Sequence, residues 1–151
     1  MYKQSAGILL YRKIDNQLQV FLVHPGGPFF RNKDVGAWSI PKGEFLDNED
    51  PLTAAKREFN EETGNFIDGK FIPLNTVELK SGKKVFAWAI EGDIDHETVV
   101  SNLFEMEWPP KSGNKQSFPE IDKAGWFDME TAKQKINSRQ ISFIDELSAL
   151  T

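Results

Sequence analysis

Residues 43–64, GEFLDNEDPLTAAKREFNEETG, constrain this chain more than any other stretch. Pro51 suits a first helical turn, Asp50 stands where a cap belongs, and Gly64 supplies a left-handed stop. At roughly 100° per residue, Leu52, Ala55 and Phe59 share an arc suited to burial against a sheet. Glu58, Glu61 and Glu62 share the adjoining arc, so a helix over 51–63 has one apolar face and one crowded acidic face. Like charges at this spacing repel by a few tenths of a kcal/mol per pair, and a cation is their natural complement. Oxygen ligands this dense suit Mg²⁺ or Mn²⁺, hard cations that bridge a protein to substrate phosphates. The plainer alternative is a solvated acidic face with Arg57 as an ordinary surface partner.

The pattern extends beyond the three glutamates. Gly43 is followed by five residues to Glu49 and seven more to Arg57, then by Glu58, Phe59, Glu61, Glu62 and Gly64. This resembles the signature of the Nudix hydrolases: Gly, five residues, Glu, seven residues, Arg-Glu-apolar-any-Glu-Glu-any-Gly-apolar. One position departs, with Asn65 where that family has an apolar residue. The resemblance implies an α/β fold, an α/β/α sandwich with a mixed sheet in which the signature forms a loop-helix-loop. It also implies hydrolysis of a nucleoside diphosphate linked to another moiety, by water attacking a phosphorus of the polyphosphate.

On that resemblance Glu58, Glu61 and Glu62 are the ligands of Mg²⁺ or Mn²⁺, with Glu62 the most central. Arg57 would orient these carboxylates and Glu49 would fix Arg57, while a carbonyl near Lys42 or Gly43 is a further ligand candidate. Many members add an acid from outside the signature, as ligand or base. Glu120, six residues before Trp126, is the candidate here, with Glu105 and Glu107 as competitors. Lys42 stands where diadenosine polyphosphate hydrolases carry a phosphate-binding Pro-Lys-Gly lysine. Lys80, Lys83 and Lys84 resemble the lysine-rich turn of the same subfamily, although they equally suit the solubilising of a hairpin. Ala87 replaces that subfamily's stacking Tyr, leaving Phe86, Phe29 or Phe30 as stacking candidates. The Pro of ADP-ribose hydrolases, some fifteen residues past the signature, is replaced by Leu79 to Ser81, which disfavours ADP-ribose or nucleotide sugars. A non-catalytic nucleotide- or RNA-binding module is the rival from another class, and such modules usually lose a signature glutamate.

Length and composition bound the rest. At 151 residues, with 27% charged and 39% hydrophobic, the chain reads as one soluble domain over 1–151. A net charge of −5 argues against non-specific binding to nucleic acid or anionic membrane, so a small nucleotide is the expected partner. A monomer or homodimer is expected. The lack of cysteine excludes disulfides and thiolate metal sites. The opening MYKQSAGILLYRK shows no cleavable signal pattern, and a cytoplasmic location is the default expectation.

Residues 5–12 and 18–24 are nearly continuous apolar runs and predict central strands, joined at Asp15-Asn16. A short strand over 38–41 leads into the signature. Residues 71–79 and 84–90 predict two further strands about a Ser81-Gly82 turn. Residues 99–108 hint at strand, 111–117 form a polar loop, and 124–127 are a short strand. Helices are expected over 128–136 and 141–150, with Asp128 and Ser138 or Ser142 as caps. His24 faces either the core edge or the substrate cleft, and His96 is expected to be exposed. Trp38, Trp88 and Trp126 read as core aromatics, and Arg31 and Lys33 could reach a terminal phosphate.

Overall fold

A computed structural model of the protein describes residues 4–151. The two apolar runs form long paired strands, β1 (Gln4–Ile14) and β2 (Gln17–Pro25). Asp15 and Asn16 turn between them with φ of 50° and 65°, the left-handed pair that a tight hairpin needs. Next in the chain come β3 (Lys42–Phe45), α1 (Pro51–Thr63), β4 (Ile72–Pro73), β5 (Val77–Glu78) and β6 (Lys84–Glu91). The remaining elements are β7 (Leu103–Glu107), β8 (Lys115–Pro119), β9 (Ile121–Asp128), α2 (Met129–Lys135) and α3 (Ile141–Leu150).

A seven-stranded sheet runs β4-β6-β1-β2-β9, with β3 added to β1 and β5 to β6. Only the β1–β6 pairing is parallel, so the sheet is mixed. Alternation along β1 and β2 divides the core. Ala6, Ile8, Leu10, Phe21 and Val23 meet Ala54, Ala55 and Phe59 of α1, whereas Leu9, Val20 and Leu22 meet Ala132, Phe143, Ile144 and Leu147 of α2 and α3. Helices on both faces make the expected α/β/α sandwich. Among the described residues no helix is long and apolar enough to cross a membrane.

Several local expectations are corrected. Trp38 and Ser39 make only single bridges, to Ile136 and Val23, and the regular strand starts after Pro41, which has no N–H to donate. Residues 71–79 are two short strands rather than one, since the ladder lapses beyond Pro73. The polar stretch 111–117 is half strand, because Lys115–Pro119 pairs with β7 in a separate two-stranded hairpin. Asp128 does cap α2, accepting from Thr131 N at 2.8 Å. The serine caps expected for the last helix are absent: Gln140 occupies that position without a side-chain bond, and Asn137 caps the short turn before it.

Candidate active site

The acidic helix is built as its ends require. Asp50 accepts from Thr53 N at 3.0 Å, and Gly64, at φ 74°, closes onto Asn60 O. Ala54, Ala55, Phe59 and Thr63 are buried beneath the helix, and the glutamates lie along the flank of that buried face. Arg57 lies among them. Its Nε and Nη2 take both oxygens of Glu49 at 3.0 and 3.1 Å, while Nη1 reaches Glu58 at 2.8 Å and Glu61 at 3.3 Å. These charge-assisted bonds raise the guanidinium's affinity for its proton and fix two of the three helix carboxylates.

Glu62 turns instead towards β3, accepting from Lys42 N at 3.0 Å. Burial pushes its carboxyl up to about 8, against the pull of that amide and of the Lys42 charge. Burial, then Glu61, pushes Glu58 up to about 6. Gly43 accounts for part of that crowding, since the Glu58 carboxylate lies where a Cβ on Gly43 would stand. Gly43→Ala therefore displaces a mobile carboxylate rather than backbone. We expect an unchanged fold by circular dichroism and a roughly tenfold loss of metal affinity by titration.

Glu120, between β8 and β9, joins the group from across the cleft: Glu61 helps raise its proton affinity after burial, and Glu120 in turn raises that of Glu62. Its competitors Glu105 and Glu107 lie on the exposed face of β7. Lys42, Glu62 and Glu120 line one cavity of about 150 Å³, walled by Val23, Ser39 and Ile40. Burial, then repulsion from Lys83, lowers the affinity of the Lys42 amine for its proton. Lys83 itself pairs with Glu44 at 2.9 Å, and Lys80 and Lys84 stand exposed about the β5–β6 turn.

His24 is fully buried, its Nδ1 facing Asp122 Oδ1 at 2.7 Å and its Nε2 the Lys33 carbonyl at 2.6 Å. It ties the loop before the signature to β9, and of its two expected settings it takes the core. Phe86 packs on Phe45 at 5.9 Å, so Phe29 and Phe30 are the exposed stacking candidates. One wall-builder carried no signal in the sequence. Gln140 is buried and accepts from Ile40 N at 3.1 Å while its Nε2 donates to Ser39 Oγ at 3.0 Å, fixing that side of the cavity.

Among the described residues, no three acidic or histidine side chains converge on one point as ligands. Arg57 and the Lys42 amide engage the helix carboxylates instead. The donor set nevertheless suits a hard divalent cation. Every donor is a carboxylate oxygen, burial raises the proton affinity of Glu58 and Glu62, and Gly43 leaves the space that the Glu58 carboxylate fills.

Comparison with known proteins identifies the family and the fold. A NUDIX domain matches residues 1–147. The RNA pyrophosphohydrolase of Bartonella henselae is 26% identical, over 86% of this chain and 78% of that protein. A C. elegans Ap4A hydrolase in a binary complex superposes with a TM-score of 0.65 at 22% identity, covering 98% of this chain and 96% of that one. The NUDIX domain of Shewanella oneidensis NrtR, complexed with ADP ribose, superposes with a TM-score of 0.66 at 16% identity, covering 100% and 90%. With residues 1–147 matched, the sandwich shared and the signature glutamates all present, the chain belongs to the Nudix family.

Proposed function

We propose that this protein, acting as one domain, is a metal-dependent pyrophosphohydrolase of nucleotide polyphosphates, with a diadenosine polyphosphate or a nucleoside triphosphate as substrate. One observation carries the reading: Lys42, Glu62 and Glu120 line a single cavity, and Glu58 and Glu61 act electrostatically on Glu62 and Glu120. Glu58, Glu61 and Glu62 would hold Mg²⁺ or Mn²⁺, which supplies positive charge at the phosphate oxygens. Lys42, next to Glu62, adds positive charge in the same cavity. Glu120, whose proton affinity burial and Glu61 raise, suits the taking of a proton from the attacking water. Arg57 holds Glu58 and Glu61 in place, and Lys83, through its charge, bears on Lys42. Lys80 and Lys84, exposed on the turn, suit a longer phosphate chain passing over it. Exposed Phe29 and Phe30 suit a base at the rim.

A second reading, removal of pyrophosphate from an RNA 5′ end, is favoured by the Bartonella relative's name. A turnover screen with Mg²⁺ separates these readings. Diadenosine tetraphosphate should give ATP and AMP faster than ADP-ribose or nucleotide sugars are cleaved. Preference for 5′-triphosphorylated RNA would select the second reading, and preference for ADP-ribose would contradict both.

A further inference from the structure

A strap of extended chain before β7 crosses between the acidic helix and the Glu120 loop. On one side it binds the end of α1, where Val100 N donates to Thr63 O at 3.1 Å and Asn102 N to Glu61 O at 3.2 Å. Those carbonyls have no partner inside the helix, so the strap satisfies them. On its other side Asn102 O accepts from Glu120 N at 2.9 Å. The peptide linking Glu61 to Glu120 is thus a single residue wide.

Ser101 completes the connection. β9 ends the strand order, so the outer edge of Ile121 lacks a strand partner. The Ser101 hydroxyl fills that place, accepting from Ile121 N at 3.1 Å and lying 3.3 Å from Ile121 O and 3.1 Å from Asn102 O, to either of which it can donate. Glu120 O accepts from Gly26 N at 2.8 Å. Both flanks of Glu120 are pinned, one by β2's end and the other by Ser101.

We propose that Ser101 is a positioning residue, whose hydroxyl clasps Ile121 and so sets Glu120 against Glu61 across the cleft. The inference rests on the reading of Glu120 as a working member of the site. A hydroxyl alone meets the requirement, because one oxygen must accept from an amide and also donate to a carbonyl.

The test compares wild type, Ser101→Ala, Ser101→Thr, Glu120→Gln and the Ser101→Ala/Glu120→Gln double variant. Ser101→Ala is expected to lower kcat about tenfold with KM little changed, and Ser101→Thr to restore it. In the Glu120→Gln background Ser101→Ala should cost nothing further. Hydrogen exchange of the Glu120 and Ile121 amides should quicken about tenfold in Ser101→Ala while α1 stays protected. Equal losses in both backgrounds, or unchanged exchange at Ile121, would overturn the proposal. If wild type turns over no substrate, the functional reading falls on its own, and exchange then decides the clasp: faster supports it, unchanged removes it.

Discussion

Glu62→Gln is expected to lower turnover by roughly 10³-fold, about 4 kcal/mol of transition-state stabilisation, without loss of fold. The amide is isosteric, and its oxygen can keep the 3.0 Å bond from Lys42 N, so β3 and α1 stay joined. What is lost is the charge of the carboxylate most deeply set between helix and strand. Circular dichroism with a kcat measurement separates the two effects. Retained full activity in a folded variant would remove Glu62 from the site.

The second large effect concerns pH in the absence of metal. Glu62 binds its proton up to about 8 in the folded protein and Glu58 up to about 6, both above the ordinary carboxylate range. The folded state therefore holds more protons than the unfolded chain between the ordinary value and these raised ones. Stability from these groups is fully present below the ordinary carboxylate value and declines as pH rises towards 8. In EDTA the melting midpoint should fall by roughly 5 °C between pH 5 and pH 8, about 2 kcal/mol for a chain of this length. Mg²⁺ should restore it, and more at pH 8 than at pH 5, because ligands must be deprotonated to bind. Glu62→Gln should flatten much of the profile. A wild-type midpoint rising with pH in EDTA would contradict the assigned burial of these carboxyls.

The parts legible in the sequence are those written in local spacing. Asp50, Pro51 and Gly64 mark the ends of α1, and the periods of Phe59 and of Glu58, Glu61 and Glu62 mark its two faces. The central strands were legible because burial on both faces leaves β1 and β2 almost no polar interruption. The hairpin of β7 and β8 was half hidden, since Lys115 to Ser117 pair through backbone while their side chains stay exposed. The contacts around the cavity were not legible. Gln140 meets Ile40 a hundred positions away, and Ser101 meets Ile121 through one hydroxyl, contacts that no periodicity records. Glu120 could be named by its place before Trp126. Only the fold separates it from Glu105 and Glu107, whose strand turns them to solvent.

The most direct test of the metal site is calorimetric titration of the protein with Mn²⁺ at pH 7, repeated in buffers of different ionisation heat. Wild type should bind with release of protons, since Glu62 still holds its own at that pH, and Glu62→Gln should bind at least about tenfold more weakly and release fewer. Equal binding by both proteins, or no binding by wild type, would contradict the assignment of Glu58, Glu61 and Glu62 as the metal-holding face.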